Sequence, residues 1–362
     1  MMKLRVLQIS TAMSWRGGEQ QLAYLLEELK DRIELFVLCS RGSAIEEFCQ
    51  HFQIPFLSVR KKGGVNLRIA KKLSQLCKNE KYTCMHSHDA HAHTHAFISA
   101  LFFGNKTPLI VSRRVDFPIQ KNWLSKLKYN HNSVKKILCV SEAIRSITAK
   151  GIVNHQKLYL VYDGINIEKF SSPHPKLRRE LGLSSDAFIV GNTSALADHK
   201  DYFTFLAVAD RFILNNENAH FVIIGKGPME NEIKSFSSKL KCSKNIHFVG
   251  FRNDVPDILG ELNVFLITSK TEGLGTSILD ALAAKVPVVA TRAGGIPEII
   301  KNEQNGLLCD VGDVQSLVDC LARLKDNKGL RKQLSESGRQ SLLPFTKSEM
   351  AANTLRHYED LK

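Results

Sequence analysis

The eight cysteines of this 362-residue sequence include no Cys-x-x-Cys pair. Closely spaced pairs of that kind are typical of zinc sites and thioredoxin-like redox sites, and the sequence offers neither signature. Several cysteines lie inside apolar runs, among them Cys39 and Cys139. We therefore expect reduced, buried thiols in a cytoplasmic protein, rather than disulfides or a metal site.

Long apolar segments are also missing. No segment approaches the roughly 20 apolar residues that a membrane-spanning helix needs. The first apolar run, Leu4–Ile9, is too short and too interrupted to be the core of a signal peptide. The sequence therefore predicts a protein that is neither secreted nor membrane-spanning.

Acidic residues are scarce in the first half of the chain. The net charge is +14, and residues 1–166 hold half of the 50 Lys and Arg residues but only a third of the 36 Asp and Glu residues. Such a basic surface suits an anionic membrane or nucleic acid. A basic surface that only keeps the protein soluble is the alternative. Since no RNA-binding signature or aromatic interleaving is present, nucleic acid is the weakest of the three hypotheses, and we expect peripheral binding to the inner face of the cytoplasmic membrane. Basic pairs recur in this half at Lys61-Lys62, Lys71-Lys72, Arg113-Arg114 and Lys135-Lys136.

A Gly-x-Gly-x-x-Gly motif is absent after the first apolar run, which argues against a dinucleotide-dependent dehydrogenase. Short apolar runs instead alternate with amphipathic stretches such as Gln20–Leu29, and this alternation predicts parallel βαβ units. The pattern restarts after a polar segment with Pro173 and Pro175, 166–185, which is typical of a linker. Predicted strands lie at Leu4–Ile9, Leu35–Leu38, Pro55–Val59, Thr83–His86, Pro108–Val111, Lys136–Val140, Leu158–Val161, Phe188–Gly191, Phe221–Gly225, Ile246–Val249, Val264–Thr268, Val286–Ala290 and Leu307–Cys309.

This pattern predicts an α/β fold with two Rossmann-like, doubly wound parallel-sheet domains that face a cleft. The first domain would span residues 1–166, with a helix at 346–362 packing back on it, and the second would span residues 167–345. In open α/β sheets, ligands bind outside the carboxyl ends of the strands. We therefore expect one site with two halves.

The stretch Ser269–Asp280 follows a predicted strand and begins a helix. Gly273 and Gly275 let the backbone approach a ligand closely, and the helix start favours an anion such as a diphosphate. Glu272 can accept hydrogen bonds from sugar hydroxyls, and Asp280, placed two turns further on, from a ribose diol. An ordinary capped helix start with a solvated Glu and Asp explains this stretch equally well when it is taken alone.

The next segment favours the ligand-binding interpretation. The order Glu272-Gly273-x-Gly275, acidic Asp280, Pro287–Thr291 and Gly294-Gly295-x-Pro297-Glu298 resembles the GT-B glycosyltransferases of family 4. The resemblance extends over nearly the whole chain. Further matching segments are Gly17-Gly18-Glu19, Val140-Ser141-Glu142, Tyr162–Asn166, Gly225–Pro228 and Val249-Gly250-Phe251.

The resemblance implies a set of donor-binding residues. Glu272 would hold the donor sugar and Asp280 the ribose, while Lys200 would neutralise the diphosphate. A surface lysine is the alternative for Lys200, although a cation is unfavourable at a helix start. Catalytic roles are thus implied for Glu272, His88 and Lys200, and donor-binding roles for Gly17, Gly18, Gly273, Leu274, Gly275, Thr276, Asp280, Gly225 and Arg252.

The histidine-rich run Met85–His95 invites a metal interpretation, because His91 and His95 have i, i+4 spacing on a predicted helix. Its histidines cannot all share one helical face, so we expect no metal. His88 matches a family position that faces the donor sugar, and it could hydrogen-bond a hydroxyl or a phosphate. An ordinary loop histidine is the alternative, and it is favoured for His91, His93 and His95.

Arg113 and Arg114 follow a predicted strand, so both are expected at the rim of the cleft, contacting donor phosphates or an anionic acceptor. A salt-bridged loop is the alternative. Two positions depart from the family pattern: Asp280 stands where the family usually has Glu, and Ala195 stands where it often has Arg. Both departures leave the nucleotide and the sugar open.

The resemblance predicts a retaining glycosyltransferase that needs no cofactor and no metal. It would move a hexose-type sugar from a nucleotide sugar, with a UDP-sugar favoured, to a cell-envelope glycan or lipid-linked acceptor. Two alternatives remain. One is a UDP-sugar epimerase of the same fold, and the other is a non-catalytic nucleotide-sugar-binding protein.

Overall fold

The computed structural model describes residues 4–60, 63–119 and 123–362, so the predicted basic pair Lys61-Lys62 lies outside the described residues. The chain divides into two compact units. Unit 1 comprises Met1–Gly164 and Phe345–Lys362, and unit 2 comprises Ile165–Pro344. These bounds lie within two residues of the predicted ones.

Unit 1 is a seven-stranded sheet in the order β3-β2-β1-β4-β5-β6-β7, and all of its strand pairs are parallel. The chain winds outward from β1 to β3, returns to place β4 beside β1, and then continues to the other edge. The strands are β1 Arg5–Ser10, β2 Glu34–Ser40, β3 Phe56–Val59, β4 Cys84–Ser87, β5 Leu109–Arg113, β6 Val134–Cys139 and β7 Leu158–Leu160. The helices between them are α1 Gly17–Leu29, α2 Ala44–His51, α3 Leu67–Glu80, α4 Ala90–Phe103, α5 Trp123–Asn130 and α6 Glu142–Ala149.

Unit 2 repeats this architecture with a six-stranded parallel sheet in the order β10-β9-β8-β11-β12-β13. Its strands are β8 Phe188–Thr193, β9 Ala219–Ile224, β10 Ile246–Gly250, β11 Val264–Ile267, β12 Val288–Thr291 and β13 Leu307–Cys309. Its helices are α7 Leu177–Glu180, α8 Tyr202–Leu214, α9 Glu230–Ser237, α10 Val255–Leu259, α11 Thr276–Ala283, α12 Ile296–Ile299, α13 Val314–Asp326 and α14 Lys328–Gln340. The predicted class of two Rossmann-like parallel-sheet domains and all thirteen predicted strands are confirmed.

Each sheet carries its own apolar core. In both units the central strands are buried on both faces, which explains why they read as continuous apolar runs in the sequence. The last helix, α15 (Lys347–Glu359), packs against α1 and inserts Met350, Leu355 and Tyr358 into the core of unit 1. The C-terminal segment thus belongs to unit 1.

The polar segment 166–185 is more ordered than a linker. It contains a helical turn, Ile167–Phe170, and the short helix α7. The Glu261 carboxylate accepts hydrogen bonds from the backbone N–H groups of Lys176, Leu177 and Arg178. This carboxylate satisfies N–H groups at the start of α7, so a segment of linker-like composition is an ordered part of unit 2.

The sequence predicted no membrane-spanning helix and no disulfide bond. Within residues 4–60, 63–119 and 123–362, no helix combines the length and the apolar character that a membrane span requires. All eight cysteines are described and free, and seven of them are buried. The Sγ atoms of Cys309 and Cys320 lie 3.5 Å apart as a thiol pair.

Candidate active site

In unit 2 Lys200, Glu272 and the glycine loop lie at the carboxyl ends of β8 and β11. These neighbouring strands mark the point where the chain reverses its direction of winding, because β9 and β10 lie on one side of β8 while β11 to β13 lie on the other. Loops diverge at such a switch point and leave a crevice for ligands. Lys200 follows β8 and Glu272 follows β11.

Lys200 and Glu272 form a buried ion pair. The Lys200 Nζ donates to Glu272 Oε1 at 2.6 Å, and the two side chains are 16% and 7% exposed. Ser269 Oγ donates to the same carboxylate oxygen at 2.7 Å. The alternative of a solvated Glu272 is therefore wrong, because the carboxylate is buried and two donors fix its position.

The loops that carry this pair are tied to each other. Thr268 Oγ1 donates to the Asp201 carbonyl at 2.9 Å, and the Lys270 N–H donates to the His199 carbonyl at 2.8 Å. Thr291, at the end of β12, donates to the Ser269 carbonyl at 2.7 Å. The lysine and the carboxylate are thus held by backbone and side-chain contacts from three strand ends, which limits how far either group can move.

Gly294 marks the closest approach of the β12 loop to Glu272. Its φ is +52°, and a Cβ there would lie 1.9 Å from the Glu272 carbonyl oxygen. The Gly295 N–H donates to that same oxygen at 3.2 Å. The Gly-Gly turn identified in the sequence therefore packs against the backbone of the Glu272 loop and holds it in place.

The glycine loop itself opens helix α11. Gly275 is the N-cap with φ +95°, Leu274 is buried, and no side chain caps the helix. The first N–H groups of a helix have no intrahelical acceptor, so Thr276 at the start of α11 presents a backbone donor. Gly273 and Thr276 are half-buried. This arrangement suits an anion, as the sequence predicted.

Asp280 lies one turn into α11, rather than two turns along a helix that contains Glu272, because residues 272–275 form a loop. Burial raises the pKa of Asp280 to about 7, and Lys169 opposes that rise. A carboxyl group with this pKa exists in both protonation states near neutral pH. It can accept hydrogen bonds from a diol when ionised.

We expect the Asp280 carboxyl to make the fold less stable as the pH rises from about 4 to about 7. Its pKa is raised from 3.8 to about 7 in the folded state. The folded state therefore binds the proton more tightly, so the stabilising contribution is complete below the lower value and is lost as the pH passes the upper one. The melting temperature of wild type and Asp280→Asn, measured across this range, checks the prediction. Parallel curves for the two proteins would contradict it.

Two other predicted donor contacts serve the fold. Gly225 has φ +147°, and a Cβ there would lie 2.0 Å from the Ser194 carbonyl oxygen, so the loops after β8 and β9 require glycine. Arg252 donates to both Glu180 and Asp254, with contacts from 2.6 to 3.2 Å. These two carboxylates raise its pKa. Its guanidinium is thus committed to an ion-pair cluster in unit 2, and the expected donor contact has no support in this geometry.

In unit 1 the corresponding switch point lies between β1 and β4. Gly17 and Gly18 form the first turn of α1, and a Cβ at either position would meet no atom within 4 Å. The fold therefore does not require glycine at either position. Asp89 caps α4 and also accepts from the Thr11 N–H and hydroxyl, at 2.6 and 3.0 Å.

His88 lies at the end of β4 and is buried. Its Nε2 is 2.7 Å from Gln8 Oε1, and its ring is 4.1 Å from that of His86, measured between centroids. Burial lowers the pKa of His88 well below its usual value, and His86 and Arg114 lower it further. His88 is therefore a neutral imidazole, unlike an ordinary loop histidine.

Arg113 and Arg114 point in different directions, because successive side chains alternate at a strand end. Arg113 is buried within unit 1, where it donates to the Phe117 carbonyl and to the Tyr129 hydroxyl. The expectation that both arginines line the rim is thus wrong for Arg113. Arg114 pairs with Asp163 at 2.9 Å.

Four buried polar atoms at these strand ends of unit 1 find no hydrogen-bond partner among the described residues: Ser10 Oγ, His88 Nδ1, Arg113 Nε and Arg114 Nη1. They come from the ends of β1, β4 and β5. Buried polar groups without partners are rare, and a ligand is one explanation for such a group. Ser10 was not predicted from the sequence, since a serine at the end of an apolar run carries no signal of its own.

His91 and His93, from the same run, make contacts within the fold. His93 is buried against the Tyr129 ring, and His91 Nδ1 is 3.0 Å from the Gly64 carbonyl oxygen. In the part of the chain that the structure describes, no group of three or more His, Cys, Asp or Glu side chains could hold a metal ion.

Two family models match the sequence. Residues 173–341 match the model described as glycosyl transferases group 1, and residues 15–169 match the model described as glycosyltransferase family 4. The chain therefore belongs to the GT-B glycosyltransferases of group 1 and family 4, and it is a transferase.

Curated relatives share about a quarter of their residues with this chain. The UDP-Gal:α-D-GlcNAc-diphosphoundecaprenol α-1,3-galactosyltransferase of Escherichia coli is 25% identical, with 87% of this chain and 86% of the relative covered. The N-acetyl-α-D-glucosaminyl L-malate synthase of Bacillus anthracis is 24% identical, with 78% of this chain and 76% of the relative covered.

Solved structures share the fold at lower identity. Anabaena Alr3699/HepE in complex with UDP and glucose has a TM-score of 0.86 at 18% identity, covering 99% of this chain and all of that one. A glycosyltransferase from Rickettsia africae ESF-5 has a TM-score of 0.87 at 18% identity, covering 100% of this chain and 99% of the other. At these identities the likeness supports the two-domain fold alone.

Proposed function

We propose that this enzyme transfers a hexose from a nucleotide sugar, with a UDP-sugar favoured, to a lipid-linked or cell-envelope glycan acceptor with retention of configuration. The observation that carries the proposal is the buried Lys200–Glu272 pair at the switch point of unit 2. A cation and an acceptor carboxylate lie together there, beside a helix start that suits a phosphate. A diphosphate and the attached sugar need these two kinds of group.

In the proposed reaction, the bond between the sugar anomeric carbon and the diphosphate oxygen breaks while a bond to the acceptor oxygen forms on the same face. The acceptor hydroxyl proton passes to the departing phosphate. No protein nucleophile and no metal ion is part of this scheme. Lys200 stabilises the negative charge that grows on the leaving group, and Glu272 orients the sugar hydroxyls.

The names of the relatives suggest two kinds of acceptor. The E. coli relative is named for a sugar on diphosphoundecaprenol and the B. anthracis relative for L-malate, a lipid-linked and a small soluble acceptor respectively. A lipid-linked acceptor requires access to a membrane surface. The surface of unit 1 supports that choice.

Helix α5 carries an exposed apolar face beside one exposed lysine. Trp123 is 70% exposed, and Leu124 and Leu127 are also exposed, with Lys126 among them. Exposed tryptophan and leucine side chains enter the interface of a bilayer, and Lys and Arg residues add about 1 kcal/mol each near an anionic surface. We propose that α5 docks on an anionic membrane, which would place the enzyme at the inner face of the cytoplasmic membrane.

Replacing Trp123, Leu124 and Leu127 together by serine should weaken binding to vesicles that contain phosphatidylglycerol by about 100-fold, because apolar burial in the interface is lost. Co-sedimentation with vesicles measures the change. Leu214→Ser is the control, since Leu214 is similarly exposed but lies in unit 2. Equal vesicle binding by the triple variant and wild type would contradict the proposal that α5 is the docking face.

The reaction class is tested by a donor screen with purified protein. UDP or GDP release is followed from a panel of nucleotide sugars, with and without membrane extract as acceptor, in wild type and Glu272→Ala. Slow release from one donor that is lost in the variant supports transfer and names the sugar. Conversion of a UDP-sugar to its epimer without acceptor would instead support an epimerase, and binding without turnover would support a silent binding protein.

A further inference from the structure

A buried chain of hydrogen bonds links His88 to the C-terminal helix. Gln8, in β1, donates from Nε2 to the Tyr358 hydroxyl at 3.0 Å, and its Oε1 is 2.7 Å from His88 Nε2. Tyr358, in α15, also lies 2.6 Å from His86 Nδ1, and His86 Nε2 lies 2.9 Å from Ser112 Oγ. All of these residues belong to unit 1, and Tyr358 is fully buried.

The distances fix the direction of this chain. A separation of 2.6 Å is typical of an O–H donor and is short for an N–H donor, so the Tyr358 hydroxyl donates to His86 Nδ1. The 3.0 Å between Gln8 and Tyr358 is typical of an N–H donor, which agrees with Gln8 donating from its amide nitrogen. The amide oxygen of Gln8 can then only accept.

The direction determines the tautomer of His88. Since Gln8 Oε1 accepts, His88 Nε2 carries the proton and His88 Nδ1 carries a lone pair. That Nδ1 is buried and has no partner among the described residues. Arg114 acts on both His86 and His88 as a nearby positive charge and disfavours their protonation.

We propose that Tyr358 is a positioning residue that holds His88 in the Nε2–H tautomer, so that His88 Nδ1 receives a hydroxyl of the sugar and not a phosphate oxygen. The proposal rests on the proposed function for its ligand, and it narrows the two contacts that the sequence left open for His88. A bare imidazole nitrogen accepts from a hydroxyl, whereas an ionised phosphate offers it no proton. The last helix of the chain thereby acts on the unpaired nitrogen of His88 at the switch point of unit 1.

Long-range proton–nitrogen NMR of protein labelled with ¹⁵N-histidine reads the tautomer directly, without turnover. His88 is assigned from the signals lost in His88→Gln. We expect the Nε2–H form in wild type, unchanged when dimethyl phosphate is added, because this diester, like the diphosphate of a nucleotide sugar, carries no P–OH proton. In Tyr358→Phe the Gln8 amide nitrogen loses its acceptor, so the amide group can flip by 180°. We therefore expect a mixture of both His88 tautomers in this variant.

Two variants complete the design. Tyr82→Phe is the matched control, because Tyr82 is buried in the same unit but lies just before β4, at the amino end of that strand. It should leave the His88 signals unchanged. Gln8→Glu keeps the shape of Gln8 but supplies a carboxylate, which should raise the pKa of His88 and protonate its ring at Nδ1. The Gln8→Glu variant replaces Tyr358→Phe in the NMR experiment if Tyr358→Phe does not fold.

Turnover gives a second measurement. With UDP-galactose as donor, Tyr358→Phe should lower kcat roughly 10-fold, because His88 loses its fixed orientation. An Nδ1–H tautomer in wild type, or an unchanged tautomer in Tyr358→Phe, would overturn the proposal. Absence of turnover in wild type would count against this donor, while the NMR result would still decide the role of Tyr358.

Discussion

Lys200→Met is expected to lower kcat by about 10³-fold and to destabilise unit 2 by about 3 kcal/mol. The loss of activity follows from removing the cation beside the leaving group, since one lost electrostatic contact in a preorganised site costs about 10²–10³ in rate. The loss of stability follows because Glu272, only 7% exposed, is left as an unpaired buried charge. Steady-state kinetics and urea unfolding measure the two effects.

The double variant Lys200→Met with Glu272→Gln separates these effects. With both charges removed, the penalty for an unpaired charge disappears, so stability should return to within about 1 kcal/mol of wild type while activity stays lost. Lys234→Met is the control, because Lys234 pairs with Glu230 on the exposed surface of α9 and should cost no more than about 0.5 kcal/mol. A stable, active Lys200→Met protein would refute both roles of the pair.

Gly294→Ala is expected to destabilise unit 2 by about 4 kcal/mol and to abolish activity. The new methyl group would lie 1.9 Å from the Glu272 carbonyl oxygen, in a backbone conformation with φ +52° that side chains rarely adopt. Because the obstacle is backbone, relief requires moving the loop that carries Glu272. Thermal unfolding and the donor assay measure the outcome.

Gly312→Ala isolates the backbone term of that prediction. Gly312 has φ +80°, yet a Cβ there would meet no atom within 4 Å. Its cost should be limited to about 1 kcal/mol of backbone strain, with full activity. If Gly294→Ala were as mild as this control, the β12 turn would not be the support of the Glu272 loop.

Much of the fold could be predicted because its signals are local. Buried parallel strands produce continuous apolar runs, and the runs alternate with helices of amphipathic period, so each strand was recognisable without its neighbours. The segment 166–185 was misjudged for the complementary reason. Its composition is that of a linker, and its order depends on Glu261, about 80 residues away along the chain.

The candidate site was predictable to the extent that it depends on backbone. Gly275 and Gly294 adopt positive φ values in turns that the glycine motifs of the sequence predict. The directions of side chains were harder to predict. Arg113 and Arg114 are neighbours in sequence, but strand alternation sends the first into the core of unit 1 and the second to Asp163. The family resemblance named Arg252 for the donor, and its pairing with Glu180 depends on a residue 72 positions away.

The sequence by itself determined the two-sheet architecture, the family and the glycine turns, because these depend on periodicity and on backbone conformations that a few residues specify. Only the tertiary structure decided which polar groups meet. Lys200 reaches Glu272 across 72 residues, and Gln8 reaches Tyr358 across 350. Such pairs leave no periodic trace in the chain, since each partner is a single polar residue whose role exists only once the strand ends and the last helix have come together.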